Sequence, residues 1–280
     1  MPIFNINDLC VVIVIYNESI KDSITFTSLS KSIMEYPTPL KIVIYDNSEN
    51  KQDIEISDYP YWDITYIHDK TNPGVSKSYN IASNLAFDLK KKWLLLTDQD
   101  TFFPVNAIDE YLKAINNYKS YNLFVPILMS GNIPFSPSKY YFSRGSVWKN
   151  PKQGVCSFKN KTLLNSGIFV SVEAFQSIGG YNEKVKLYFS DFDFVSRFKL
   201  KYPEFVIIDL VCFHQLSDVV NIDPASALRR FKYYCEGSYF SSRSKKEYTM
   251  LFLTVGLRAI KLSFRYNDIG FFKIFKKIYI

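Results

Sequence analysis

The chain has 280 residues, of which 47% are hydrophobic and 22% charged, enough apolar surface to offset the entropy of ordering it, which excludes a disordered or collagen-like protein. The net charge of +7 is carried by one end: residues 243–280 hold nine basic residues against two acids, and residues 1–242 balance at 25 of each. A globular nucleic-acid binder, which needs basic charge on its folded surface, is disfavoured by that neutral majority.

No uncharged apolar stretch approaches the roughly 20 residues of a spanning helix, the longest near either end being Met250 to Leu257. The start lacks a basic segment followed by an apolar one, so no cleaved secretory signal is expected and the chain is read as cytoplasmic. Cys10, Cys156, Cys212 and Cys235 stand far apart with no CxxC pair and are read as buried thiols.

In chain order, the first hundred residues alternate between apolar runs and helical patterns. LCVVIVIY (9–16), LKIVIYD (40–46), DITYIHD (63–69) and WLLLTDQD (93–100) read as strands; 19–36 and 76–92 read as the intervening helical stretches. The β-branched runs are apolar on both faces, as parallel strands covered by helices must be, and predict an α/β protein with an open, mostly parallel sheet. The polar residues that end these runs (Asn17 and Glu18, Asp46 to Ser48, Asp98 to Asp100) then share the carboxyl edge, where such sheets bind ligands. A helix at 106–119, a strand at 121–129 and a final core strand at 204–214 follow. The Pro, Ser and Gly rich stretch 131–146 reads as a long surface loop. There is no internal repeat.

In TDQDT, Asp98 and Asp100 lie at i and i+2 on a segment leaving a strand, and their hard oxygens suit Mg²⁺ or Mn²⁺ bound to substrate phosphates; a solvated turn is the other reading. Asp46 at the next strand tip can accept the imide N–H of uracil or thymine, or can simply make an Asx turn. Tyr16, Asn17 and Glu18 shape a nucleotide pocket or merely cap the following helix, Ser19 being the better expected cap.

Together VVIVIYNES, IVIYDNS, NPGVSKSYN, LLLTDQDT, GGYNE and SDFDFVSR resemble, in order and spacing, the family-2 glycosyltransferases with a GT-A fold, over about residues 9–215. The DNS and TDQDT strings are most similar to bacterial rhamnosyltransferase-type enzymes of surface polysaccharide synthesis. The resemblance implies an inverting transfer from a nucleoside diphosphate sugar to a glycan or lipid-linked acceptor, with Mn²⁺ or Mg²⁺ as cofactor. It places Asp46 on the base, Asp98 near the ribose or metal, and Asp100 on the metal, with His214 able to complete the metal site. Asn72 and Asn80 would hydrogen-bond base or ribose, Gly74 would allow a tight turn, and Lys77 would meet phosphate. In SDFDFVSR, Ser190 stands where the family has an acid, while Asp191, Asp193 and Arg197 match; Asp191 inherits the role of catalytic base and Asp193 an acceptor-side position. His68 is read as structural.

Residues 1–222 are expected to form the catalytic domain and 223–280 a helical appendage. A helix through 248–265 gathers Arg258, Lys261 and Arg265 on one face away from Leu251 and Val255, and a second segment sets Phe271, Phe272, Phe275 and Ile278 against Lys273, Lys276 and Lys277. This pattern suits a helix lying in a membrane interface, or a helical pair packed on the catalytic domain or on a dimer partner. Two other classes are weaker: a nucleotidyltransferase would open with a Gly-rich phosphate loop, and a catalytically silent assembly partner would not need intact Asp98, Asp100 and Asp191.

Overall fold

A computed structural model describes residues 4–215 and 223–280. The expected domain boundary after residue 222 abuts the residues outside that description. The elements are β1 (Leu9–Ile15), α1 (Ile24–Lys31), β2 (Leu40–Asp46), β3 (Trp62–His68), α2 (Val75–Asp88), β4 (Trp93–Asp98), β5 (Thr101–Phe102), α3 (Ala107–Asn117) and β6 (Leu123–Ser130). They continue through β7 (Ile133–Ser136), β8 (Ser138–Tyr141), β9 (Arg144–Ser146), β10 (Gly154–Ser157), β11 (Lys161–Thr162), β12 (Ile168–Ser171), α4 (Val172–Ser177), α5 (Ser190–Lys201) and β13 (Glu204–His214). Three helices close the chain: α6 (Pro224–Ser241), α7 (Lys245–Tyr266) and α8 (Gly270–Tyr279).

The main sheet runs in the order β10-β13-β6-β12-β4-β1-β2-β3. It is parallel from β3 through β4 and again between β6 and β13, with β12 running opposite between the two halves. Every residue of β1 and β2 is buried. Alternate residues of β1 serve two cores: Val11, Ile13 and Ile15 pack with Phe26, Leu29, Ile108 and Ile115 of α1 and α3, and Cys10, Val12 and Val14 with Tyr79, Ala82 and Phe175 of α2 and α4. That two-sided burial is why the runs are apolar at every position.

The stretch 131–146 is more ordered than its composition implies. It forms β7 against β6 and the β8–β9 pair, which with β11 makes a second, three-stranded sheet. Pro134 and Pro137 are compatible with this because the pairing lies at sheet edges. Cys10, Cys212 and Cys235 are buried as expected, but Cys156 is only partly so, since the edge strand β10 leaves one face open.

The three C-terminal helices share a core of their own, with Ala227, Phe231 and Cys235 of α6 against Val255 and Ala259 of α7 and Phe271, Phe275 and Tyr279 of α8. They are also fastened to the catalytic part. Leu251 packs with Val185 and Phe189, and the Arg243 guanidinium lies 3.3 Å from the Asp193 carboxylate. Gly237 passes so close to the Tyr188 carbonyl that a Cβ there would sit 2.2 Å from its oxygen. Among the described residues no helix is long and apolar enough to cross a membrane.

Candidate active site

The register of β1 pairs Ile15 with Asp46 and Val14 with Asp98, so the polar ends of β1, β2 and β4 leave the sheet side by side. Cross-links hold the three together. The Asn17 amide donates to Ser48 Oγ at 2.8 Å, the Tyr16 amide to Gln99 Oε1 at 2.7 Å, and the Asn47 amide to the Ile15 carbonyl at 2.8 Å. The start of α1 secures the TDQDT turn from the other side, through Ser23 Oγ and the Thr25 amide donating to the Gln99 carbonyl.

Asp98 Oδ1 accepts a hydrogen bond from the Tyr79 hydroxyl at 2.9 Å. Asp100 Oδ1 lies 3.4 Å from Nδ1 of His214, whose own hydrogen bond, at 2.8 Å, is with Thr101 Oγ1. Thr101 Oγ1 in turn meets Ser166 Oγ at 2.7 Å. Burial pushes the Asp98 and Asp100 carboxyls up from the usual range, and a charged His214 opposes that. Glu18 is raised as well, first by burial and then by Asp100.

Two oxygens here, Asp100 Oδ1 and Glu18 Oε2, are buried without a hydrogen-bond partner among the described residues. Unpartnered buried carboxylate oxygens are costly unless a cation meets them. Among the described residues no group of three or more His, Cys, Asp or Glu side chains is placed to hold a metal ion. A divalent ion shared with a diphosphate needs only one or two protein carboxylates, and the unpartnered oxygens of Asp100 and Glu18 fit that need as donors, with Asp98 and His214 nearby.

Asp191 stands in the first turn of α5 and is partly buried. Burial pushes its carboxyl up to about 7; the Phe192 amide, donating at 2.8 Å, offsets part of this and the Asp98 charge adds to it. Phe189, just before the helix, is held at φ 70°, a left-handed conformation unusual for a bulky side chain, by packing against Tyr234, Phe192 and Leu251. Ser190, in place of the expected acid, is buried; its hydroxyl donates to the Leu187 carbonyl and accepts from Asn165 Nδ2, while Asn165 Oδ1 accepts from the Tyr181 hydroxyl. The tilted pair Tyr79 and Tyr181 and the stack of Tyr181 on Phe194 join this helix start to Asp98.

Several residues expected from the sequence at the ligand are committed elsewhere. Asp46 is fully buried, with Oδ1 accepting from the Ser48 amide and Oδ2 from Gln52 Nε2 and the Tyr66 hydroxyl, so it closes a turn and presents no solvent-facing surface. Asn80 clamps the GGYNE turn: Oδ1 accepts from the Tyr181 amide, and Nδ2 donates to the Tyr181 carbonyl and to Glu183. Gly74, at φ 94°, makes its close approach to the Lys186 carbonyl, beside Asn72 at φ 46°. Lys77 is 3.9 Å from Asp69 at the mouth of that loop. Asp193 is set apart from Asp191. It is buried between Arg197 at 2.9 Å and Arg243 at 3.3 Å, because two residues along a helix turn it to the far side from Asp191.

An open cleft of about 820 Å³ lies beside Asp191, between the start of α5 and the helices α6 and α7; Asn165, Arg144, Arg230, Arg258 and Lys261 help line it. Sequence reasoning missed Tyr79, Asn165, Arg144 and Arg230, since nothing in their local patterns marks them.

Comparison with known proteins settles the family. The model of glycosyl transferase family 2 matches residues 10–169, more than half of the chain. The chain belongs to glycosyl transferase family 2. The match includes Asp46, Asp98 and Asp100 and stops short of Asp191 and His214. No curated sequence matches the chain significantly. Among solved structures, a fragment of S. aureus TarS in complex with UDP-GlcNAc is 14% identical, with a TM-score of 0.57 over 92% of this chain and 73% of that one. GalNAc-T7 with UDP, GalNAc and Mn²⁺ is 13% identical, with a TM-score of 0.58 over 96% of this chain and 57% of that one. At these identities the likeness is one of fold, and it is the GT-A fold.

Proposed function

We propose that this family-2 glycosyltransferase, of rhamnosyltransferase type, transfers a sugar from a UDP- or dTDP-linked donor, with inversion at C1, to a glycan or polyprenyl-linked acceptor in surface polysaccharide synthesis. The observation that carries the reading is the partly buried Asp191, raised to about 7 within the electrostatic reach of Asp98. A base poised near neutral pH takes the acceptor hydroxyl proton as the oxygen attacks C1 and the bond from C1 to the diphosphate breaks. Asp98 and Asp100, with His214 and Glu18 beside them, would hold a divalent ion at the diphosphate end of the donor. That ion, when bound, supplies Lewis-acid neutralisation of the charge on the leaving diphosphate. The TarS and GalNAc-T7 structures, solved with UDP-GlcNAc and with UDP and Mn²⁺, support a nucleotide donor and a metal by likeness of fold.

The reaction is assigned to the cytoplasmic face of the membrane, with peripheral contact through α7. Leu253, Leu257, Ile260 and Phe264 recur at i, i+4, i+7 and i+11 and are 58, 69, 45 and 85% exposed, an apolar stripe flanked by Lys261 and Arg265. Calorimetry with UDP, dTDP and GDP, with and without Mn²⁺, tests the donor reading, and NMR of the released sugar tests inversion. Metal-dependent binding of UDP or dTDP and an inverted product are expected. No affinity for any of the three, or retention at C1, contradicts the reading.

A further inference from the structure

We propose that the cleft beside Asp191 recognises an acceptor that carries a phosphate ester close to its reacting hydroxyl, with Arg144, Arg230, Arg258 and Lys261 as the phosphate site. The inference deepens the transferase reading and rests on it for the role of Asp191. Among the described residues Asp191 is the sole acid lining the cleft, against these four cations. Elsewhere in this region basic side chains are matched, as Arg197 and Arg243 are by Asp193. Among the described residues none of the four cleft cations takes part in an ion pair.

Their placement suits an anion. Arg258 Cζ lies over the Tyr234 ring, 4.2 Å from its centroid, a cation–π contact that helps to position the guanidinium, and Arg230 is half-buried. A smaller cavity of about 100 Å³ adjoins the cleft, shares Arg230, Tyr234 and Arg258 with it, and adds Arg265. Planar guanidiniums held in this way make bidentate hydrogen bonds to phosphate oxygens, and like charges gathered round one cleft repel until an anion enters.

The donor diphosphate does not account for these cations. Its place is at the acidic set of Asp98, Asp100 and Glu18, none of which lines this cleft. The cleft cations come from the acceptor side, where Asp191 takes its proton. The exposed stripe of α7 passes the rim, Leu257 belonging to both. A phosphate joining a sugar to an apolar chain and a phosphate within a soluble polyol chain offer the same group to this site.

The full-length protein, saturated with UDP and Mn²⁺, is titrated with methyl diphosphate, octyl diphosphate and octyl glucoside. Both diphosphates are expected to bind, more weakly as salt is raised, and octyl glucoside is not. Lys261→Glu and Arg230→Gln each weaken diphosphate binding at least tenfold while UDP affinity and melting temperature stay unchanged. Lys261 is exposed and makes no hydrogen bond among the described residues, so its variant separates binding from folding; Arg258→Gln is the less clean choice because it removes the contact with the Tyr234 ring. Octyl diphosphate binding more than tenfold tighter than methyl diphosphate supports the lipid-linked source, and equal binding supports the soluble one. Failure of both diphosphates to bind, indifference to Lys261→Glu and Arg230→Gln, or a parallel fall in UDP affinity overturns the proposal. A wild type that binds the diphosphates but not UDP supports the anion site and contradicts the donor reading alone.

Discussion

Asp98, Asp100 and Asp191 are one kind of side chain in three environments, and the difference decides what each can do. Asp98 is tied to the Tyr79 hydroxyl, Asp100 keeps an oxygen without a hydrogen bond, and Asp191 sits raised to about 7 at the cleft. We expect Asp100→Ala to lower the Mn²⁺-dependent part of UDP affinity at least tenfold in calorimetry; undiminished Mn²⁺ dependence assigns the metal elsewhere. Asp191 carries a stability consequence as well. Its folded pKa stands above the ordinary 3.8, so between the two values the folded chain binds more protons than the unfolded one. Stability is therefore lost as pH rises through that window, and the full penalty is present above about 7. Asp191→Asn should stabilise the protein by about 1–2 kcal/mol at pH 8, a figure discounted for partial solvent contact, and leave it unchanged at pH 4. Equal melting temperatures of wild type and variant at pH 8 would mean the carboxyl is solvated.

At the scale of elements, strands were readable where burial on two faces demanded it. The run 204–214 forms β13 over those residues, and the polar ends of β1, β2 and β4 meet as their parallel register requires. What the sequence could not show was direction. Asp191 and Asp193 look like one acidic motif in extended text, and helix α5 turns them to opposite sides. Asp46 and Asn80 carry plausible ligand chemistry, but whether a polar group meets a ligand or its own chain depends on loops folded back from elsewhere, as Gln52 and Tyr181 are. The cleft cations come from β9, α6 and α7, so no local period reveals them. One contact between elements predicts a kinetic effect. Because α6 meets the Tyr188 carbonyl at Gly237, Gly237→Ala must displace the turn that presents Asp191. It should cost about 1–3 kcal/mol of stability and lower turnover at saturating donor with UDP affinity retained. Normal turnover in a destabilised Gly237→Ala protein would detach α6 from the catalytic turn.

For the whole molecule, the C-terminal charge is divided between two tasks. Arg258 and Lys261, grouped with Arg265 as a membrane-facing set in the sequence, line the cleft, while α7 is apolar on two opposite sides, Leu251, Val255 and Ala259 inward and Leu253, Leu257, Ile260 and Phe264 outward. Phe271 and Phe275 of α8 are buried, leaving Phe272 at the surface. Ending the chain near Ser242 would strip Phe231 and Cys235 of their partners, so surface substitution tests membrane contact better than truncation. The full chain should co-sediment with anionic liposomes at low salt and release at high salt, and Leu253→Glu with Phe264→Glu should abolish this; sedimentation unaffected by that pair would exclude α7 as the contact. The central claim is that donor and base occupy separate sites, the donor at Asp98 and Asp100 and the base at Asp191. Its most direct measurement is sugar release from a UDP- or dTDP-sugar that the wild type turns over, with water as acceptor, across pH 5.5–9 for wild type and Asp191→Asn. The account predicts an acidic limb near pH 7 in the wild type, and in the variant a flat profile lower by roughly two to four orders of magnitude with nucleotide affinity unchanged. Lost nucleotide affinity with near-normal turnover at saturation would contradict it.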